Sequence, residues 1–338
     1  MTDRVLLTGI SGFLGGHVAL QLLQAGYTVR GSLRNLSRAD KVRDTLGKAG
    51  ADTSRLEFVA LDLMADTGWR EAAADCRYLQ HTASPFVLKI PEDKMELIGP
   101  AVEGTERALN AANAAGAERI VLTSSMAAIA YGHDKTRTTP FTARDWTDLD
   151  GRGVNPYQES KTLAERRAWE IMDAAGRRDA LAVINPGGIF GPLLDEDPGT
   201  SATLVQRLLN GSVPAVPRIP LTGIDVRDVA AAHVAAMTAP GAGGQRFPMG
   251  ERTIFFGDAA RILRDRYPDR RVPRIAMPDW AVRLYGLFDQ DVRDNLGELG
   301  LAKQLDSSAV IALLGRKLIP LPEAILATAE TLAAHRLA

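Results

Sequence analysis

The sequence predicts an α/β fold, a doubly wound parallel sheet with a smaller, mostly helical C-terminal lobe. Short apolar runs alternate with helical patterns through residues 1–185, which is typical of such a sheet. A glycine-rich turn joins the first apolar run to the first helical pattern. Beyond residue 185 the alternation loosens, and most of the remaining patterns have helical spacing.

The elements can be assigned in chain order. The first two strands enclose a crossover of the length expected for a parallel pair. The run at residues 119–123 is continuously apolar, as in a sheet covered on both faces. The predicted strands are residues 5–7, 27–33, 56–60, 78–83, 119–123 and 180–184. The predicted helices are residues 18–23, 37–48, 67–74, 100–115 and 157–175.

The turn at residues 8–15 carries glycines in the pattern G-x-x-G-x-x-G, between the first strand and the first helix. Backbone N–H groups and a helix N-terminus together hold a pyrophosphate in this arrangement. A Cβ atom at the first or second glycine would occupy the space of the phosphate. Glycine triplets also occur by chance in loops, and the flanking strand and helix favour the nucleotide site. The candidate cofactor-binding residues here are Gly9, Gly12, Phe13, Leu14 and Gly15.

Two domains are predicted from these patterns. Residues 1–185 would form a nucleotide-binding domain of the Rossmann type, and residues 222–250 would return to it. Residues 186–221 and 251–338 would form a substrate-binding lobe. Its predicted helices are residues 256–267, 280–288 and 322–337.

Composition excludes several classes of function. The net charge is −1 and the pI is about 6.5, so no basic field points to nucleic acid or to a membrane surface. Cys76 is the only cysteine, which excludes an internal disulfide and a CxxC pair. The five histidines are scattered without metal-ligand spacing, so no metal is expected. With no leader and no apolar run of spanning length, a cytoplasmic protein is predicted.

The residues after the second and third strands indicate the kind of nucleotide. No acid follows the second strand to bind ribose hydroxyls, and Arg34 stands where a 2′-phosphate would lie. Lys41 would add a second positive charge. Asp62 and Leu63 would lie beside the adenine. The sequence therefore predicts NADP, although Arg34 and Lys41 also suit a solvated surface and Asp62 also suits a turn.

Tyr157 and Lys161 lie four residues apart, on one face of a predicted helix. A nearby ammonium stabilises a phenolate and would bring the pKa of the phenol towards the neutral range. Random helices often carry this spacing. Ser124 and Ser125 strengthen the hypothesis, because they follow the fifth strand at the edge where ligands bind in open α/β sheets. Ser125 is the better candidate to hold a substrate oxygen.

With these residues the chain resembles the extended short-chain dehydrogenase/reductases, and most closely their dihydroflavonol reductase-like branch. The branch also contains cinnamoyl-CoA reductases and yeast-type methylglyoxal and aldehyde reductases. The superfamily motifs are the glycine turn, Asp62-Leu63, Ser124-Ser125 and Tyr157-x-x-x-Lys161. Further matches to the branch lie at residues 81–86, 160–165, 185–187, 191–192, 225–230 and 313–315.

The resemblance implies reversible oxidoreduction between a carbonyl and an alcohol. NADPH would give hydride to the carbonyl carbon while Tyr157 gives a proton to the oxygen. Lys161 would lower the pKa of Tyr157 and hold the ribose, and Ser125 would polarise the oxygen. The family residues that contact the cofactor match Arg34, Lys41, Asp62, Leu63, Thr82, Ala83, Ser84, Tyr157, Lys161, Pro186 and Ser201.

The segment after Ser125 departs from that of the plant flavonoid reductases. Residues 126–130 are apolar where those enzymes carry an asparagine, which argues against a polyhydroxylated flavonoid. An aryl or medium-sized hydrophobic aldehyde or ketone is predicted instead. The candidate substrate-binding residues are Phe86, Met126, Ile129, Phe190 and Leu204, each of which also suits an ordinary core position.

Two other functions remain open at this point. A nucleotide-sugar epimerase or dehydratase would use the same Tyr–Lys pair with retained NAD. A non-catalytic nicotinamide-binding protein would share the fold, but such proteins tend to lose the tyrosine and lysine. The expected partner is a small carbonyl or alcohol substrate, and the expected assembly is a monomer or a homodimer.

Overall fold

A computed structural model of the chain describes residues 3–84, 91, 93–197, 199–288, 290–294 and 296–338. These residues form a seven-stranded parallel sheet flanked by helices, with a three-stranded and a two-stranded sheet beside it. The predicted α/β fold with a doubly wound parallel sheet is confirmed. No helix in the described ranges has both the length and the apolar character needed to cross a membrane.

The strands have the following bounds. They are β1 Arg4–Thr8, β2 Thr28–Leu33, β3 Leu56–Ala60, β4 Tyr78–His81, β5 Arg119–Thr123, β6 Leu181–Pro186, β7 Gly188–Phe190, β8 Val216–Pro217, β9 Pro220–Asp225, β10 Arg246–Met249, β11 Arg252–Phe255 and β12 Ala276–Met277.

The helices lie between and after these strands. They are α1 Phe13–Gln24, α2 Ala39–Lys48, α3 Trp69–Ala73, α4 Met95–Ala114, α5 Pro156–Ala174, α6 Gly199–Leu209, α7 Val226–Thr238, α8 Phe256–Arg266, α9 Asp279–Tyr285, α10 Gln290–Asp294, α11 Ser308–Leu314 and α12 Leu321–Ala334.

The large sheet has the strand order β10-β6-β5-β4-β1-β2-β3. The chain winds outward in one direction from β1 to β3 and in the other direction from β4 to β10. The strand order therefore reverses between β1 and β4, which pair in parallel with Val5 opposite Tyr78. Ligands of such sheets bind outside the carboxyl ends of the strands at this reversal.

Alternate residues of β1 show how the helices cover both faces of the sheet. Val5 and Leu7 are fully buried in a cluster with residues of α1 and α7. Leu6, between them, is buried in a second cluster with residues of α4 and α5. A strand with neither face in water reads as a continuous apolar run, as this one does.

Helix α4 begins a turn and a half earlier than the predicted start at residue 100. It starts at Met95 and carries Pro100 inside it. Leu97 and Ile98 are buried there, and their burial favours the added turn. The proline removes only its own bond to the carbonyl of Glu96, so this cost is local.

The region at residues 222–250 divides between two sheets. Strand β9 pairs with β7 and β11 in the three-stranded sheet. Strand β10 pairs in parallel with β6 and so adds the seventh strand to the large sheet. The C-terminal lobe has its own core, built mainly by α6, α8 and α12.

A buried carboxylate joins α5 to three strand ends. Glu165 of α5 accepts hydrogen bonds from Arg246 Nε at 2.5 Å, from Ser124 Oγ at 2.5 Å and from Asn185 Nδ2 at 2.6 Å. The side chains of Glu165 and Arg246 are 0% and 7% exposed. A buried charge needs such partners, because without them its desolvation is not compensated.

The guanidinium of Arg246 also fastens the segment that follows β5. It donates to the carbonyls of Ala143 at 2.9 Å and Asp145 at 2.6 Å. It lies 3.8 Å from the ring centroid of Trp146, within cation–π distance.

Arg246→Met should lower the free energy of unfolding by about 3–5 kcal/mol, because it leaves the buried Glu165 carboxylate without its cation. Urea unfolding followed by circular dichroism measures this loss. Arg261→Ala, which breaks the exposed pair with Asp258 on α8, is the matched control and should cost less than about 1 kcal/mol. Equal losses in the two variants would contradict the interpretation.

Candidate functional site

The glycine turn closes against the end of β4. Gly9 has φ +74°, and a Cβ atom there would lie 2.9 Å from the Cα of Ala83. A Cβ atom on Gly15 would lie 2.0 Å from the carbonyl oxygen of Gly9. Both positions therefore require glycine, the first for its backbone conformation and the second for the close packing of helix against turn.

The start of α1 offers free backbone donors. Gly12 caps the helix with no side-chain hydrogen bond, and the first turn contains no acidic residue. A Cβ atom on Gly12 would meet only the carbonyl of Gly9, at 3.4 Å, so open space lies in front of the helix. The N–H groups of Phe13 and Leu14 belong to this first turn, and a helix start of this kind binds phosphate. The ring of Phe13 packs edge-on against His17 at 5.6 Å.

Hydrogen bonds tie the carboxyl ends of β1 and β4 together. Thr8 Oγ1 is 2.8 Å from His81 Nδ1 and accepts from the N–H of Ala83 at 3.2 Å. Thr82 Oγ1 donates to the carbonyl of Thr8 at 2.7 Å. Burial, with the nearby charge of Lys161, lowers the pKa of His81 to about 3, so this histidine is neutral.

The adenosine-side candidates lie on the rim beyond β2 and β3. Arg34 is exposed directly after β2. The Lys41 ammonium is 3.5 Å from a carboxylate oxygen of Asp195, in the loop after β7.

Asp62 and Leu63 lie in the turn after β3. Asp62 is exposed, and its Oδ1 accepts from the N–H of Met64 at 2.9 Å, which makes it a turn residue whatever else it binds. Leu63 is half-buried and packs against α4, where a Cβ atom on Gly104 would meet it at 3.1 Å.

Two further cofactor candidates come from the second half of the chain. Pro186 is the buried last residue of β6, beside the end of β5. Ser201 is half-buried near the start of α6. A Cβ atom on Gly199 would lie 3.8 Å from Phe13 Cβ, so the start of α6 meets the start of α1.

Ser125 and Tyr157 meet at the carboxyl end of β5. Asn155 and Gln158 form a capping box at the start of α5, which fixes the turn that carries Tyr157. Ser125 Oγ accepts from the N–H of Ala127 at 3.1 Å. The Ser125 side chain lies near enough to Tyr157 to lower the pKa of the phenol.

The ammonium of Lys161 lies one helical turn beyond Tyr157. It donates to Ser84 Oγ at 2.8 Å and lies 5.9 Å from the centroid of the Tyr157 ring. Burial lowers the pKa of Lys161 to about 8. The structure thus brings the three catalytic candidates and Ser84 to one place.

The pKa of Tyr157 differs in direction from the sequence-based expectation. Burial raises the pKa of Tyr157, and the hydrogen bond from Ser125 offsets part of that rise. The Lys161 ammonium donates to Ser84 Oγ and not to the phenol. Tyr157 therefore holds its proton at neutral pH.

The described members of the predicted apolar pocket pack in or against core clusters. Ile129 and Phe190 are 0% and 1% exposed in two core clusters, so neither presents side-chain surface to a substrate. Leu204 is half-buried against the core of the C-terminal lobe. Met126 is 9% exposed, directly after Ser125. Phe86 lies outside the described residues.

A cavity of about 430 Å³ lies between the segment that follows β5 and the C-terminal lobe. It is lined by residues 130–139, 141, 152–153, 297–298 and 300–304. None of Met126, Ile129, Phe190 and Leu204 lines it.

Two residues near the site, Tyr131 and Glu165, are not among the candidates identified from the sequence. Tyr131 lines the cavity, and nothing in its local pattern distinguishes it from a surface tyrosine. Glu165 follows Lys161 by four residues, and this continuation of the Tyr157–Lys161 spacing was the available signal.

The parts of the chain that the structure describes contain no cluster of side chains suited to bind a metal ion. No group of three or more His, Cys, Asp or Glu side chains there is placed to hold a metal ion.

A family model and a search of known proteins identify relatives of this chain. Residues 5–250 match the model of the NAD dependent epimerase/dehydratase family. The chain is 34% identical over 280 residues to cinnamoyl-CoA reductase CAD2 of Medicago truncatula, covering 81% of this chain and 84% of that protein. It is 32% identical over 324 residues to cinnamoyl-CoA reductase 1 of Petunia hybrida, covering 94% of each.

Among solved structures, the chain is similar to yeast methylglyoxal/isovaleraldehyde reductase Gre2, crystallised with NADPH. The TM-score is 0.79 at 27% identity, over 98% of this chain and 99% of that one. The predicted resemblance to the extended short-chain dehydrogenase/reductases and their dihydroflavonol reductase-like branch is confirmed. The chain belongs to the NAD dependent epimerase/dehydratase family.

Proposed function

We propose that the protein is an NADPH-dependent carbonyl reductase, or alcohol dehydrogenase, that interconverts an aldehyde or ketone and its alcohol. The observation that carries this proposal is the meeting of Ser125, Tyr157 and the Lys161 ammonium at the carboxyl edge of the sheet. A protonated phenol next to a serine hydroxyl is suited to protonate a carbonyl oxygen as it becomes an alkoxide.

The cofactor fits the residues that are present. The uncapped start of α1 and the space in front of Gly12 suit a pyrophosphate. Gly9 and Gly15 keep that turn tight. The reductase Gre2 was crystallised with NADPH, which supports a nicotinamide dinucleotide at the same edge.

Arg34 carries the preference for NADP over NAD. Its exposed guanidinium follows β2, where no acid competes for the ribose hydroxyls. A guanidinium binds a 2′-phosphate through charge-assisted hydrogen bonds. Lys41 adds positive charge on α2, although Asp195 shares it.

Bound NADPH would supply the hydride, and the chain's own residues would place the substrate and supply the proton. Ser125 Oγ, held by the N–H of Ala127, would donate to the substrate oxygen. Tyr157 would transfer its phenolic proton to that oxygen. The Lys161 ammonium would stabilise the phenolate left behind and hold the cofactor ribose.

The proposed substrate is an aryl or medium-sized hydrophobic aldehyde or ketone. Met126 is the described member of the predicted apolar set that directly follows Ser125. Relatives named for cinnamoyl-CoA and for isovaleraldehyde support a carbonyl beside an apolar group. NADPH oxidation across aldehydes, ketones, hydroxysteroids and flavonoids tests this proposal, and turnover confined to flavonoids would refute the predicted substrate class.

Tyr157→Phe should lower kcat for carbonyl reduction by about 10²- to 10⁴-fold, because only the proton donor is removed. Fluorescence titration should give the same NADPH affinity as the unchanged protein. Tyr27→Phe removes the hydroxyl of another half-buried tyrosine, away from the site, and should leave kcat unchanged. Full activity in the Tyr157 variant would remove this residue from the mechanism.

Arg34→Ala should raise the Kd for NADPH by about 10- to 100-fold, the value of charge-assisted hydrogen bonds to a phosphate, and leave the Kd for NADH unchanged. Isothermal titration measures both constants. Lys48→Ala removes an exposed cation at the C-terminal end of α2 and serves as the control. A parallel loss of NADPH and NADH affinity would refute the phosphate role of Arg34.

The kcat/KM for reduction should fall as pH rises through about 8, where the buried Lys161 ammonium loses its proton. The rate falls with rising pH because Lys161 is positively charged only below its pKa, and burial has lowered that pKa. Lys161→Arg keeps a positive charge, so its alkaline limb should move to higher pH whatever its absolute rate. An unmoved limb in that variant would assign the titration to another group.

A further inference from the structure

The loop that follows β7 packs against the start of α1, where the pyrophosphate is proposed to bind. His17 Nε2 of α1 donates to the carbonyl of Pro192 in this loop at 2.8 Å. A Cβ atom on Gly16 would lie 3.3 Å from Leu194 Cδ1. These contacts hold the loop beside the proposed cofactor site, and the next residue of the loop is Asp195.

The two carboxylate oxygens of Asp195 have different partners. Oδ1 accepts from the N–H of Asp197 at 3.0 Å, which closes a turn within the loop. Oδ2 lies 3.5 Å from the ammonium of Lys41, on α2. The turn therefore holds the carboxylate beside α2 without help from the lysine. The side chains of Lys41 and Asp195 are 55% and 26% exposed, so water reaches this ion pair.

The segment that joins β2 to α2 is basic. Arg34, Arg38 and Lys41 lie within eight residues, and all three are exposed. Arg34 and Lys41 are the cations proposed to bind the 2′-phosphate of NADPH. Asp195 comes from more than 150 residues further along the chain and places a carboxylate on one of these two cations.

A 2′-phosphate would be a stronger partner for Lys41 than this carboxylate. An exposed ion pair contributes little to stability and is easily exchanged. A phosphate monoester carries nearly two negative charges at neutral pH and offers three acceptor oxygens. Exchange of the partner takes part of the binding free energy of NADPH. NADH has no 2′-phosphate, so its binding leaves the pair with Asp195 as it is.

We propose that Asp195 is a specificity-determining residue, which weakens the binding of NADPH by competing with the 2′-phosphate for Lys41. In the free protein Lys41 pairs with Asp195, and in the complex with NADPH it pairs with the phosphate. The preference for NADPH over NADH is therefore smaller than Arg34 and Lys41 alone would give. This inference rests on the proposed NADPH-dependent function and adds a residue that sets its cofactor affinity.

Asp195→Asn removes the negative charge and keeps an oxygen that can accept from the N–H of Asp197. Isothermal titration of the full chain, free of nucleotide, should give a Kd for NADPH about two- to fivefold lower than that of the unchanged protein, the value of an exposed ion pair. The Kd for NADH should stay within about 1.5-fold. Glu196→Gln removes the neighbouring exposed carboxylate and is the matched control, with neither constant changed.

A double-mutant cycle assigns the effect to Lys41. When Lys41→Gln is already present, adding Asp195→Asn should change the Kd for NADPH by less than about 1.5-fold, because the contested cation is gone. An equal gain in both backgrounds, an equal gain for NADH, or an unchanged or higher Kd for NADPH in Asp195→Asn would overturn the inference.

The proposed function fails by a different result. The titrations require no turnover, so they can give the expected constants in a protein that reduces no aldehyde or ketone with NADPH. That result would refute the carbonyl reductase and leave the role of Asp195 standing. Turnover with NADPH together with an unimproved Kd in Asp195→Asn would refute only the role of Asp195.

Discussion

The buried carboxylate of Glu165 is the constraint on which the site geometry depends. Arg246, Ser124 and Asn185 all donate to it, and these bonds offset the cost of burying the carboxylate. These partners come from β10 and from the ends of β5 and β6, so the sheet and α5 have one relative position that satisfies them all. Glu165 lies two helical turns beyond Tyr157, and that position therefore fixes where the phenol meets the sheet edge.

Helix α5 carries two buried ionisable groups, and they differ in their partners. Glu165 has a counter-charge, and Lys161 has none among the described residues. Glu165 has an arginine and two further donors. Lys161 has a neutral partner, the hydroxyl of Ser84, and lines the same small pocket as the neutral His81. Burial without a counter-charge lowers the pKa of Lys161 to about 8. In the described part of the chain, the Lys161 ammonium therefore has no anionic partner that would compete with an anionic cofactor or a phenolate. The Glu165 carboxylate, one helical turn further along, fixes the position of α5.

The cavity lined by residues 130–139 and 297–304 brings together chain segments that are distant in sequence. Its walls come from the segment after β5 and from residues 297–304, more than a hundred residues further on. Apolar residues near Ser125, the proposed catalytic serine, pack into a core cluster, as Ile129 does. For this reason a substrate pocket deduced from apolar residues close to Ser125 differs from the cavity that the fold forms.

The sequence by itself determined the class and order of the elements, the glycine turn and the Tyr157–Lys161 spacing. These features are local: they follow from side-chain periodicity and from the φ angle that Gly9 must adopt. Only the tertiary structure decided that Phe190 is core, that Lys41 pairs with Asp195 and that the pKa of Tyr157 rises. Burial and ion pairing depend on contacts between segments far apart in the chain, and a local pattern carries no information about them.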